Sequence, residues 1–98
     1  MSSSTKIKIC GLRSAEASIV ASDAGADFLG FNFVEGVRRQ IQLADATQIL
    51  TDYREGRNTP NRPGLVGLFR DQDVYEVNET ARNLQLDYLQ LCGDEDDE

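Results

Sequence analysis

The chain has 98 residues, with 10 Lys+Arg against 17 Asp+Glu, no His, no Trp and 40% hydrophobic residues. That length suits one domain around one modest core, and the lack of histidine excludes Ser-His-Asp, Cys-His and histidine-zinc chemistry. Five acids close the sequence as Asp94-Glu95-Asp96-Asp97-Glu98, and without them 10 basic and 12 acidic residues remain, so the formal charge of -7 belongs largely to the tail and the balanced body offers nucleic acid no electrostatic footprint.

The opening Met1-Ser2-Ser3-Ser4-Thr5-Lys6 leads into no hydrophobic signal core. No apolar run approaches the roughly 18–20 residues of a membrane span. A cytoplasmic protein with no membrane partner is expected, with residues 1–5 a disordered start. Residues 7–10 then form the first of four short runs rich in β-formers, the others being 28–33, 65–69 and 88–91. After the first, Ser14 can cap a helix reaching about Ala24, with Gly25 where a C-terminal cap belongs. A second helix fits residues 43–53, because Ala46, Ile49, Leu50 and Tyr53 fall at i, i+3, i+4 and i+7. Residues 55–64, with both prolines, read as an exposed loop. A third helix fits 74–84, with Val74, Val77, Ala81 and Leu84 on one stripe and Asp71 or Asp73 as its cap.

This alternation predicts parallel strands joined by right-handed crossovers. Asp27-Phe28-Leu29 after the first helix and Asp87-Tyr88-Leu89 after the third repeat one pattern, Asp-aromatic-Leu leading into a strand. Splitting each strand by alternation gives an apolar set of Ile7, Ile9, Leu29, Phe31, Phe33, Val66, Leu68, Leu89 and Leu91. The opposite set is mixed and partly polar: Lys8, Cys10, Gly30, Asn32, Leu65, Gly67, Phe69, Tyr88, Gln90 and Cys92. A doubly wound sheet needs both faces apolar. One apolar and one mixed face favour an α/β barrel of the parallel (βα)8 TIM type, here about its first four strands and three helices.

Functional groups of such barrels lie at the C-terminal ends of strands. Those positions hold Cys10-Gly11, Asn32, Arg38-Arg39, Arg70-Asp71 and Gln90-Cys92-Gly93-Asp94. A thiolate at Cys10 could serve as base or nucleophile, and the alternative is a small buried hydrophobe. Arg38 or Arg39 could grip a carboxylate or phosphate, and the alternative is a solvated loop. Cys10 and Cys92 are 82 positions apart with no CxxC, which suggests neither a metal site nor a redox pair. Strands one and four of an ordered sheet lie roughly 14 Å apart, too far for a disulfide between them. No phosphate-cradling GxxxxGK[ST] or GxGxxG occurs. A receiver-like regulatory domain would need an acidic pair where Cys10-Gly11 stands and an aspartate where Phe69-Arg70 stands.

Lys6-Ile7-Lys8-Ile9-Cys10-Gly11-Leu12 and Ala24-Gly25-Ala26-Asp27-Phe28-Leu29-Gly30-Phe31-Asn32-Phe33 resemble the first two strand motifs of the phosphoribosylanthranilate isomerases of tryptophan biosynthesis. Val37-Arg38-Arg39-Gln40-Ile41 is similar to that family's arginine loop. Leu65-Val66-Gly67-Leu68-Phe69-Arg70 and Asp87-Tyr88-Leu89-Gln90-Leu91-Cys92-Gly93-Asp94-Glu95 are similar to its third and fourth strands. The resemblance implies an Amadori rearrangement of N-(5-phosphoribosyl)anthranilate to 1-(2-carboxyphenylamino)-1-deoxyribulose 5-phosphate, with no metal or organic cofactor. It assigns the general base to Cys10 and a contact with the anthranilate carboxylate to Arg39, with Gly11 letting backbone approach the ligand. Cys92 stands where the family usually has histidine, exchanging an imidazole for a thiol at a substrate-binding position.

Family members form an eight-stranded barrel of about 200 residues, near the low end for the fold. Residues 1–98 are therefore expected to be the N-terminal half of a barrel domain, with 94–98 either the start of a fourth helix or an acidic tail. The family's acid and its phosphate loops belong to later strands, so the 98 residues alone are expected to be an inactive fragment. The alternative is a half-barrel binding or structural module that pairs with itself or another chain, since its inner face and two edges would lie uncovered.

Overall fold

A computed structural model of the chain describes residues 6–57 and 62–92. The expected disordered start and the acidic run at 94–98 lie outside the described residues. The elements follow in the order β1 (Lys8–Ile9), α1 (Ala15–Asp23), β2 (Phe28–Asn32), α2 (Leu43–Gly56), β3 (Gly64–Phe69), α3 (Val74–Leu84) and β4 (Tyr88–Leu91). Local chemistry sets the helix ends. Ser14 caps α1 by accepting the Ala17 N–H, and Gly25 turns the chain out of it at φ +100°. Asp73, not Asp71, caps α3 by accepting the Tyr75 N–H, and Gln85 ends that helix in the left-handed region at φ +56°. Helix α2 continues past the expected Tyr53 to Gly56, so the first two residues of the expected loop are helical and its last residue, Gly64, opens β3. Pro63, expected in an exposed loop, is buried.

The four strands are parallel in the order β1-β2-β3-β4, the sequential arrangement of a TIM barrel's first half. All three helices pack on one face. Ala46, Leu50 and Tyr53 of α2 and Val77 and Leu84 of α3 join Leu29, Phe31, Leu65 and Phe69 in one core, with Ala15, Ile19 and Ala21 of α1 against it. Val74, expected on the buried stripe of α3, is 69% exposed at the first turn.

Register corrects one expectation about the faces. Leu29 pairs with Leu65 and Phe31 with Gly67, while Gly30 pairs with Val66 and Asn32 with Leu68. Partners in a parallel ladder share a face. Leu65, Gly67 and Phe69 therefore face the helices, and Val66 and Leu68 face inward, the reverse of the sequence assignment for this strand. The reason lies in β3 itself, where both alternating sets are apolar and alternation supplies no phase. Space explains the match. A Cβ on Gly67 would come within 2.7 Å of Leu86 Cδ1, so glycine leaves the room that Leu86 occupies.

The repeated Asp-aromatic-Leu pattern has a structural meaning. Asp27 Oδ2 accepts the Ile7 N–H at 2.8 Å, and the Asp27 N–H donates to the Ile7 carbonyl at 2.8 Å. Asp87 repeats this with Leu65, both bonds again 2.8 Å. Each aspartate thus ties its own strand to its neighbour at the N-terminal edge of the sheet. The aromatic residues that follow, Phe28 and Tyr88, meet edge-on across Gly64 with ring centroids 5.6 Å apart.

Candidate active site

Cys10 follows β1 at the C-terminal edge of the sheet and is exposed, which argues against its reading as a packed hydrophobe. It lies against Gly30 of β2, where a Cβ would stand 3.0 Å from Cys10 Sγ. Glycine at position 30 is thus what lets the thiol rest on the neighbouring strand. The chain then turns at Gly11, with φ +77°, and returns to β2 through the Leu12 N–H bonded to the Gly30 carbonyl at 3.2 Å.

Arg39 reaches this corner from the connection between β2 and α2. Its side chain passes over Gly11, and a Cβ there would fall 2.6 Å from Arg39 Cδ. Its Nη1 donates a long, weak bond of 3.5 Å to the Gly11 carbonyl. Asn32 closes the arginine loop on the strand end: its Oδ1 accepts the Val34 N–H at 2.9 Å and its carbonyl accepts the Ile41 N–H at 2.9 Å. Within the loop, Gln40 Oε1 accepts the Gly36 N–H at 3.1 Å. Arg38 is exposed.

At the far side of the sheet Cys92 is half-buried, and its N–H bonds the Phe69 carbonyl at 2.7 Å. Both cysteines are free thiols. Gln90 and Lys8, on β4 and β1, are hydrogen-bonded to one another across the inner face, so the sheet is curled enough for side chains of its two edge strands to meet. Gln72 links two strand ends by donating to the Phe33 carbonyl and accepting the Arg70 N–H, each at 2.6 Å. Gly93 and Asp94 lie outside the described residues. The structure therefore gathers Cys10, Gly11 and Arg39 at one corner, with Cys92 just past the end of β4 at the opposite edge. Sequence reasoning passed over Gln72, because nothing in its spacing marks it, and over Lys8, whose partner is 82 residues away. Among the described residues no group of three or more His, Cys, Asp or Glu could hold a metal ion, and no helix is long and apolar enough to cross a membrane.

Residues 7–98 match the family described as N-(5'phosphoribosyl)anthranilate (PRA) isomerase. The chain belongs to the PRA isomerase family. An isomerase of that name from Geobacter sp. (strain M21) is 42% identical over 91 residues, which are 93% of this chain and 42% of that protein. One from Leptospira borgpetersenii is 37% identical over 93% of this chain and 41% of its own length. Among solved structures, the Thermus thermophilus PRA isomerase superposes with a TM-score of 0.75 at 34% identity, over 92% of this chain and 42% of that one. The Thermotoga maritima PRA isomerase gives 0.78 at 29% identity, over 92% and 41%. The chain thus spans about two-fifths of these PRA isomerases.

Proposed function

We propose that residues 1–98 form the N-terminal half of a barrel domain that isomerises N-(5-phosphoribosyl)anthranilate to 1-(2-carboxyphenylamino)-1-deoxyribulose 5-phosphate in tryptophan biosynthesis. One observation carries this reading. Cys10-Gly11 and Arg39, from two family motifs 28 residues apart, meet at the catalytic edge of the sheet. One related PRA isomerase structure holds a reduced form of that product.

In the reaction, an acid protonates the furanose ring oxygen as the C1–O bond breaks, and the anthranilate nitrogen's lone pair forms the C1=N iminium. The Cys10 thiolate takes the proton from C2 and becomes a thiol. The C2–H electron pair forms C1=C2, and the iminium π electrons return to nitrogen. Loss of the enol proton with protonation of C1 then gives the ketone. Arg39 binds the anthranilate carboxylate, Gly11 allows close approach of the ligand, and Cys92 contacts substrate where the family has histidine. The work is done in the cytoplasm on a small molecule, with no nucleic-acid or membrane partner.

The reading is tested by joining residues 1–98 to the later βα units of a related PRA isomerase and assaying freshly made substrate. Turnover is expected from the joined protein and none from the 98 residues alone. Cys10→Ser in the joined protein should lower kcat by about 10²–10⁴-fold. Full activity of that variant, or turnover by the 98 residues alone, would overturn the assignment.

Open edges favour a second reading, in which the half-barrel pairs with itself or another chain. Ile9 on β1 and Leu89 and Leu91 on β4 are 37%, 41% and 73% exposed, and parallel sheets are normally buried on both faces. One solved structure in the family is described as monomers made from a dimeric Thermotoga maritima isomerase. Sedimentation of the 98-residue chain decides: a dimer supports pairing with itself, and a clean monomer removes it.

A further inference from the structure

At the N-terminal edge of the sheet, opposite Cys10, a cleft of about 860 Å³ is lined by Lys6, Arg54, Arg57 and Arg62. Two carboxylates, Asp27 and Asp87, share it. Both are committed to the Ile7 and Leu65 backbone N–H groups. The ion pair found among the described residues is Arg82–Glu79, away from this cleft. Four cations thus line one concave surface, and among the described residues no carboxylate forms an ion pair with them. Arg54 uses Nη2 to bond the Leu84 and Gln85 carbonyls at 2.7 and 3.2 Å, which fixes its guanidinium at the cleft wall. Arg57 is held over the Tyr53 ring at 5.7 Å. Tyr53, which also lines the cleft, is 1% exposed, and its hydroxyl is sealed from solvent with no hydrogen-bond partner among the described residues.

We infer that this cleft binds a small phosphate-bearing anion. Four cations against two carboxylates give the lining a positive balance, which an anion in the cleft offsets while supplying acceptors to the forked guanidinium donors. The cleft's volume lies within the usual range for small-molecule sites. An extended polyanion such as nucleic acid is not favoured, because 10 basic residues stand against 12 acidic ones even without the terminal acidic run.

The test is ¹H–¹⁵N NMR of the 98-residue chain titrated with inorganic phosphate and, separately, glycerol 3-phosphate, each against chloride at matched ionic strength. Saturable shifts are expected at the Arg57, Gly64, Leu65 and Asp87 amides, with Gly11 and Gln40 unmoved. Arg57→Gln with Arg62→Gln should weaken the apparent Kd by about tenfold or more. Arg62→Gln alone, on an exposed side chain that leaves the fold intact, should weaken it measurably. Saturation by phosphate and by its ester alike identifies the phosphate group as the ligand. Equal shifts with chloride, shifts confined to the Cys10 edge, no shift at all, or unchanged affinity in the folded variants would each overturn the proposal.

Discussion

Arg39 and Gly11 are matched in shape: the arginine's Cδ stands 2.6 Å from where a Cβ on residue 11 would be, and residue 11 holds φ at +77°. Two separate demands therefore fall on one glycine. The backbone conformation disfavours any L side chain, and the arginine fills the space that a side chain would take.

Gly11→Ala is expected to lower stability by about 1–3 kcal/mol, partly from the left-handed backbone and partly from the clash. A double-mutant cycle with Arg39→Ala separates the two. Removing Arg39 abolishes the clash but not the strain, so the paired variant should lose less than the sum of the singles. Urea midpoints measure this, and strictly additive losses would show that Arg39 does not lie over Gly11.

The twin aspartate clamps give a second expectation. Asp27→Ala and Asp87→Ala each remove an acceptor from a strand-end N–H, and each should cost about 1 kcal/mol, with Asp87 the larger. Its bond to the Leu65 N–H is part-buried, whereas that of Asp27 to Ile7 is exposed. The residues stand two strands apart, so the losses should add within about 0.5 kcal/mol in thermal or urea unfolding. A strongly coupled pair would mean that the two clamps share one structural element.

Much of the fold was legible because its signals are local. Ser14 and Asp73 act as caps through neighbouring N–H groups, and α3 spans the expected 74–84 because its period is clean. The repeat of Asp27 and Asp87 was visible as a pattern, but its meaning needed the neighbouring strand, which spacing does not supply. At the site, Cys10 and Arg39 stood out by type and position, whereas Gln72, Gly30 and Lys8 work through partners distant in the chain. The phase of β3 was misassigned for a physical reason: Leu65, Val66, Leu68 and Phe69 leave no polar residue to mark the outer side, and only pairing with β2 sets it.

Gln72 should matter more than an ordinary loop residue. Its two 2.6 Å bonds tie the Phe33 carbonyl to the Arg70 N–H, joining the ends of β2 and β3. Gln72→Ala leaves both groups to solvent and is expected to cost about 1–2 kcal/mol. Faster amide exchange at Arg70, with little change at Ile7 or Leu65, is the readout; uniform exchange across the sheet would show a global rather than a local effect.

The corrected phase of β3 yields a direct contrast between two leucines of equal size. Leu65 is 5% exposed and belongs to the core shared with α2 and α3, whereas Leu68 faces inward and is half-buried. Leu65→Ala should therefore cost about 2–5 kcal/mol, the usual range for emptying a packed site. Leu68→Ala should cost clearly less in the 98-residue chain, because water already reaches that side chain and little apolar area is lost. The opposite assignment of faces predicts the reverse order. Denaturant unfolding of the two variants side by side distinguishes them, and a larger loss at Leu68 would return β3 to the phase that alternation alone suggests.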